Sequence, residues 1–457
     1  DLARTKRAGG LRSPASDLHL AGAVRIVASP MTPATSRKAE GNPAATARGG
    51  RVLILSVYYA PEITGNAPLV TELARGLAAR GLSVRVVAGT PHYRLAEVPT
   101  PYRRRLYLRE MVDGVEATRC FAVPARNSPA SKILNYASFL ITSLPACLAG
   151  PKPDWVLVIT PPFLLGMAGA AVKFVRGAKL AYNAQDIFPR AYVAGEMLRK
   201  GWLVRVLAGV QRWVYRRADV VTTITPAMAD ELAADGVSRA RLRVIPNFAD
   251  EEALRPLPRD NDFSRQHALT GKFVVLYAGN IGTLHGAEVL APVAKHLEAH
   301  PDILVLVVGE GTARAQLEQA VAAAGVRNLK MLPPQPNDAL AAMLASADIG
   351  VVTTRAGTGR TSFPSRLYGL MAAARPIVAA VDEDSDAAAL LRTANCGLVT
   401  PPGDAEALTR AILQLRNQAE ERRALGQAGR SYLERSLTKR SVVEKYAELF
   451  SGRAGDE

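Results

Sequence analysis

Residues 51–88 read RVLILSVYYAPEITGNAPLVTELARGLAARGLSVRVVA, and this stretch decides the fold class. Val52 to Tyr58 is an apolar run of about one strand's length. Asn66 to Arg80 then brings Leu69, Val70, Leu73 and Leu77 onto one helical face. Gly81 stops that helix, and Val84 to Ala88 is a second buried strand. Strand, loop, helix and strand in this order make a parallel α/β unit, because parallel neighbours need a crossover of this length.

The pattern continues outward on the C-terminal side. Val156 to Thr160, Leu180 to Asn183, Val220 to Ile224 and Leu242 to Ile245 read as further strands separated by helical stretches, so residues 51–250 form one doubly wound domain. Residues 251–271, with Pro256, Pro258, Asp260, Asn261 and Asp262, read as a linker. A second α/β domain over 272–430 restarts with Phe273 to Ala278 and continues with Ile303 to Val308, Ile349 to Thr353 and Ile377 to Val381. A C-terminal helix and tail fill 431–457. On the N-terminal side, residues 1–50 lack periodicity and read as a disordered leader whose first Met is Met31. The fold class is α/β, two Rossmann-like domains facing a central cleft.

With 457 residues, 48% hydrophobic and 21% charged, the chain can bury two cores. Its three cysteines are too scattered for a disulfide framework or a zinc site, and a reducing compartment is the simpler expectation. The net charge of +16 is unevenly placed: residues 51–250 hold 26 Lys/Arg against 14 Asp/Glu, whereas 251–457 hold 23 against 24. A basic half beside a neutral one suggests that one domain faces something acidic, with an arginine-favouring genome as the plainer source. Basic residues do not interleave with aromatics in a nucleic-acid-binding motif, so no nucleic-acid partner is expected.

Two uncharged stretches, Ile133 to Pro151 and Trp155 to Val172, approach the length of a membrane span. The second is broken by Thr160, Pro161 and Pro162, where a strand should turn into a helix. Buried α/β elements explain both better than a span does. The first could also lie against a bilayer surface without crossing it.

Ligands of open α/β sheets bind beyond the carboxyl ends of the strands, so the loops there carry the chemistry. Tyr59 to Asn66 reads YAPEITGN, where Gly65 and Asn66 could let backbone approach a phosphate at the helix start. It lacks a dinucleotide fingerprint. In the second domain, Gly279, Asn280 and Gly282 follow the first strand. Gly309, Glu310 and Gly311 follow the second, where Glu310 could accept from a hydroxyl or cap a helix. The sharpest signal is Ser362-Phe363-Pro364-Ser365-Arg366, in which a proline suited to a helix start is followed by a fixed positive charge and approached by Arg355 and Arg360. Asp186, after the strand Leu180 to Asn183, is a candidate base or hydroxyl contact, or a turn residue before Pro189. The run Asp382 to Asp386 reads as helix capping, and no metal is expected there.

The segments YAPEITGN, NAQDIFP, ITPAMADEL, VIPNFAD, YAGNIG, VVGEGTARAQLE, LPPQP, ADIGVV, FPSRLYGLMAAARPIVAA and CGLVTPPGD, in this order, resemble the retaining GT-B glycosyltransferases of family 4. They are most similar to the bacterial branch that builds colanic acid, O-antigen and capsule repeats. The resemblance runs from about Arg51 to Phe450. It implies a UDP- or GDP-sugar donor held mainly by the second domain, no cofactor or required metal, and retention of anomeric configuration. It also implies a lipid-linked glycan acceptor at the cytoplasmic face of the inner membrane, where the protein would sit peripherally on an anionic surface.

Donor contacts carry over to Gly65, Asn66, Asn280, Gly282, Gly309, Glu310, Pro336, Ser365 and Arg366. Asp186 falls beside the reacting sugar as the catalytic candidate. His92, Tyr93, Arg103, Arg104 and Arg105 fall on the acceptor or membrane side. This chain departs from the family at two places. Asn280 and His285 stand where an arginine and a lysine are common, and Thr361 and Gly369 occupy the two glutamate positions of an E-x7-E pattern. Arg366 would then carry more of the diphosphate charge. A GT-B nucleotide-sugar epimerase and a non-catalytic membrane- or nucleic-acid-binding paralogue are the alternative readings.

Overall fold

The computed structural model of the chain describes residues 50–62, 66–92, 98–124, 129–194 and 201–451. The expected leader, Gly65 and Tyr93 lie outside these residues.

The apolar runs form strands wherever both faces of a sheet are covered by helices. The first sheet holds β1 (Arg51–Ser56), β2 (Ser83–Gly89), β3 (Tyr107–Val112), β4 (Val115–Cys120), β5 (Trp155–Ile159), β6 (Lys179–Ala184), β7 (Val220–Thr223) and β8 (Leu242–Val244). Their order is β3-β4-β2-β1-β5-β6-β7-β8, parallel except for the β3–β4 pair. The second sheet holds β9 (Phe273–Ala278), β10 (Ile303–Val308), β11 (Leu329–Leu332), β12 (Ile349–Thr353), β13 (Ile377–Ala380) and β14 (Gly397–Thr400), ordered β11-β10-β9-β12-β13-β14 and wholly parallel. Strand order reverses between β1 and β5 in one sheet and between β9 and β12 in the other. Those switch points open the crevices in which such folds bind ligands.

The helix between β1 and β2 is Ala67–Ala79, and it buries Val70, Leu73 and Leu77 while Leu69 is half-buried. After β5 the chain turns through Thr160-Pro161-Pro162 into the helix Leu165–Arg176. The other uncharged stretch is the helix Pro129–Leu148, with Phe139, Ala146 and Cys147 in the core but Ile133, Leu134 and Ile141 exposed. No helix among the described residues is long and apolar enough to cross a membrane.

Two boundaries differ from those read in the sequence. The linker region contains a helix, Asp262–Gln266, closed by a capping box between Asn261 and Ser264, and Phe263 and Leu269 pack into the second core. Residue 430 falls inside the helix Ala419–Ser436. The final helix, Lys439–Ser451, lies on the first sheet, where Val442, Val443, Tyr446 and Phe450 join Val52, Ile54 and Trp155 in one apolar cluster. The Tyr446 hydroxyl accepts from Asn183 Nδ2 at 3.0 Å.

Candidate active site

At the first switch point, Asn66 Nδ2 donates to the Thr160 carbonyl at 2.9 Å, tying the loop after β1 to the end of β5. Asn66 does not cap its helix, and its buried Oδ1 has no hydrogen-bond partner. His92, expected on an acceptor or membrane surface, is buried instead. Its Nδ1 lies 2.7 Å from the Thr90 carbonyl, its Nε2 meets Asn135 Nδ2 at 2.8 Å, and its backbone N–H donates to Glu62 Oε1 at 2.9 Å. A ring held at both nitrogens in this way is a structural pin. Arg103, Arg104 and Arg105 are exposed at the entry to β3.

In the second domain the loops after β9 and β10 are stitched together. Gly279 N–H donates to Val308 O, Ile281 N–H to Glu310 O, and Ala313 N–H to Ile281 O, each at 2.9 Å. A Cβ on Gly309 would lie 1.9 Å from Gly279 O, and one on Gly311 2.2 Å from Ile281 O. These glycines therefore let two loops pack against each other, a stronger requirement than approach to a ligand. Glu310 lies 3.4 Å from Arg314 in an ion pair. Pro336 is exposed after β11. Asn280 and His285, standing where two cations are usual, meet each other instead, with Asn280 Nδ2 and His285 Nε2 3.2 Å apart.

Arg366 is the residue on which these loops converge. Its guanidinium lies over the Tyr277 ring at 4.4 Å, a cation–π contact, and Nη2 donates to the Asn280 carbonyl at 3.0 Å. The same carbonyl accepts from the Tyr277 hydroxyl at 3.0 Å. Arg366 Nη1 is buried and has no partner. A buried donor left unmet on a half-buried guanidinium is costly, and an anion bound beside it would remove that cost.

The surroundings of Arg366 correct several sequence readings. The helix begins at Arg366 and runs to Ala372, and Ser365 makes no capping bond. Arg355 pairs with Glu288 at 3.0 Å, and Arg360 pairs across the cleft with Glu231 at 2.9 Å. Their charges are therefore spent on carboxylates, and neither adds to the positive charge at the site. Thr361 donates to Thr358 O, and a Cβ on Gly369 would lie in ordinary contact with Leu344 and Leu254, at 3.7 and 3.9 Å, so neither position offers a carboxylate.

Asp186 meets the same segment from the other domain. Its Oδ1 accepts from Ser362 Oγ at 2.6 Å, and Ile187 N–H donates to Thr361 O at 2.9 Å. Burial pushes the Asp186 carboxyl up to about 6, with the Ser362 hydroxyl pulling the other way. Phe363 packs against both domain cores at this point. The cleft wall is thus continuous from Asp186 through Ser362 to Arg366, a junction between positions 176 residues apart in sequence.

The Asp382 to Asp386 run is spent on backbone at its two ends, and Glu383 pairs with Arg392. Asp382 accepts from Gly357 and Gly359 N–H, Ser385 caps the helix Asp386–Ala394, and Asp386 accepts from Ala227 N–H across the cleft. Among the described residues, no group of three or more His, Cys, Asp or Glu side chains could hold a metal ion.

Two family profiles tile this architecture: the glycosyl transferase 4-like domain matches residues 64–247, and glycosyl transferases group 1 matches residues 259–432. The chain belongs to the GT-B glycosyltransferases. It is 26% identical over 413 residues to the protein named as colanic acid biosynthesis glycosyl transferase WcaI in Escherichia coli strain K12, covering 88% of this chain and 100% of the relative. The fold of this glycosyltransferase is shared with sucrose-phosphate synthase from Thermosynechococcus elongatus, with a TM-score of 0.70, 19% identity, and 88% and 99% of the two chains covered. It is shared also with the Anabaena protein Alr3699/HepE solved in complex with UDP-glucose, at a TM-score of 0.67, 16% identity, and 88% and 100% coverage. The enzyme's two profile matches meet at the polar segment between β8 and β9, so each doubly wound sheet corresponds to one family domain.

Proposed function

We propose that this glycosyltransferase moves a sugar from a nucleoside-diphosphate sugar to a lipid-linked glycan during bacterial surface polysaccharide synthesis. The single observation carrying the donor assignment is the buried, unpartnered Nη1 of Arg366 at the second switch point. A diphosphate is the donor feature that suits it: charge grows on the leaving β-phosphate oxygen during glycosyl transfer, and a fixed guanidinium there stabilises it. Loops after β9, β10 and β11, with Asn280, Gly282, Glu310, Pro336 and Ser365, surround the donor in this reading. Asp186 faces the reacting sugar, transfer proceeds with retention, and Arg366 serves where another site would use a metal.

The acceptor assignment rests on the opposite domain. Every exposed large hydrophobic side chain among the described residues lies between Leu106 and Val244. Most sit on three neighbouring helices, Pro129–Leu148, Leu165–Arg176 and Trp202–Arg217, which contain no Asp or Glu. Ile133, Ile141, Phe174 and Trp202 are between 69% and 90% exposed, and Arg205, Arg212 and Arg216 stand exposed on the third helix. Apolar side chains on helices that carry basic residues and no acidic ones suit the headgroup layer of an anionic membrane. A lipid-linked acceptor would be met there. The relative named for colanic acid biosynthesis supports a polysaccharide product.

The test is to incubate the full chain with UDP-, GDP- and ADP-sugars and bacterial membrane lipid acceptor. Release of nucleoside diphosphate together with a glycosylated lipid is expected for one donor. Absence of nucleoside diphosphate release from all of them overturns the proposal, and sugar conversion without acceptor would establish the epimerase instead.

A further inference from the structure

The second domain has an arginine-lined cavity far from the cleft. It has a volume of about 640 Å³ and is walled by Arg375, Arg422, Arg423 and Arg430, with Asp348 as its one carboxylate. Asp348 immediately precedes β12, and Arg375 immediately precedes Pro376 and β13, so the cavity opens at the amino ends of these strands. The donor loops leave from the carboxyl ends, a strand's length away at roughly 3.3 Å per residue. One face of the helix Ala419–Ser436 forms the other wall.

The charge in this cavity is largely uncompensated. Asp348 is already held by Arg259, at 3.0 Å from Nε and 2.8 Å from Nη2, and by Val274 N–H at 2.7 Å. Arg430 is matched by Glu434 at 2.7 Å. Arg375 spends Nε and Nη1 on the carbonyls of Ala373, Ala345 and Ala347. Arg422 spends Nη1 on Leu415 O and Arg416 O while lying over the Phe273 ring at 5.1 Å. Among the described residues, neither Arg422 nor Arg423 has a carboxylate partner. Arg375 Nη2, Arg422 Nε and Nη2 and all of Arg423 remain as unused donors. Bonds to main-chain carbonyls hold Arg375 and Arg422 in place, so their remaining N–H groups are fixed forks of the kind that match phosphate oxygens.

We infer that this cavity is a second anion site, separate from the donor cleft, that takes a small soluble molecule bearing a phosphate dianion. The cavity is too large for bare phosphate and lies in the size range of small-molecule sites. Its remaining lining, Pro256, Ala374, Pro376, Ala419, Gln427 and Ser431, offers small apolar walls and two polar side chains for a modest organic group. A phospholipid headgroup has the same phosphate chemistry. No exposed large hydrophobic side chain among the described residues lies in this domain, and that favours the soluble source.

The experiment uses the full chain carrying Arg366→Ala, so that the donor cleft no longer competes for phosphate. Thermal unfolding is followed while inorganic pyrophosphate, a hexose 1-phosphate or phosphatidate-containing vesicles are added. Pyrophosphate or the hexose phosphate is expected to raise Tm by about 1–2 °C at ten times its Kd. Adding Arg423→Glu, which breaks no hydrogen bond or ion pair, should weaken that binding at least tenfold, as should Arg422→Gln. Stabilisation by vesicles alone would replace the soluble ligand with a headgroup and overturn the inference. It is equally overturned if none of the three stabilises the protein, or if binding survives both substitutions within twofold.

Discussion

The two doubly wound domains share a strand order and differ in almost everything on their surfaces. The first is strongly basic and holds all the exposed large hydrophobics of the described residues. The second is close to neutral, exposes none of them, and concentrates its unpaired guanidinium chemistry on Arg366 and the distal arginine cavity. The difference teaches that the backbone topology fixes where sites open and the side chains decide what each site is for. In the proposed division, one domain reads a surface and the other reads a phosphate.

That division can be broken most severely at Arg366. Arg366→Ala should lower turnover by roughly 100- to 1000-fold, the range for loss of one fixed electrostatic donor, with the far-ultraviolet circular dichroism unchanged. On the other side, the combined change Ile141→Ser, Phe174→Ser and Trp202→Ser should reduce partition onto anionic vesicles by about tenfold or more while leaving nucleotide-sugar binding intact. Vesicle sedimentation measures the first quantity and calorimetry the second. A matched loss of both would erase the separation.

Smaller effects sharpen the picture of the loops. Gly309→Ala places a methyl group against the Gly279 carbonyl, so unfolding in urea should show a loss of about 1–3 kcal/mol. An unchanged midpoint would mean that the two loops are not packed as described.

The smallest effect concerns the junction between domains. Asp186 has its carboxyl raised to about 6 in the folded chain, so folding favours the protonated form, and this group's contribution to stability falls as pH rises from about 4 through 6. Asp186→Asn removes that dependence while keeping an acceptor for Ser362. The variant's Tm relative to wild type should therefore be higher at pH 7.5 than at pH 5. An equal difference at both values would show that the carboxyl is not held in this way.

Much of the framework was legible because buried parallel strands are apolar on both faces. Phe273–Ala278, Ile303–Val308 and Ile349–Thr353 match their apolar runs residue for residue. The β3–β4 hairpin was not read, because YLREMV exposes alternate residues and VEATRC buries Arg119, which pairs with Glu110 and looks like a surface residue in sequence. The Asp113-Gly114 pair between them, both at positive φ, was the available signal. Strands as short as Leu329–Leu332 and Gly397–Thr400 carry too few residues to show a period.

Within the site, Arg366 was legible as a cation following a proline. Its partners were not, because Tyr277 and Asn280 reach it from more than 80 residues away. Separations of 67 and 129 residues hid the neutralisation of Arg355 by Glu288 and of Arg360 by Glu231. The burial of His92 was hidden as well, because the Asn135 that meets its ring comes from a helix 43 residues on. Residue type shows which groups can carry charge, whereas tertiary pairing decides which charges remain to be used.

The most direct measurement compares equilibrium binding of nucleoside-diphosphate sugars to the wild type, Arg366→Ala and Arg360→Ala by thermal shift. Arg366→Ala should lose donor stabilisation, and Arg360→Ala, whose charge is committed to Glu231, should retain it. Retention in Arg366→Ala together with loss in Arg360→Ala would contradict the assignment of the diphosphate to Arg366.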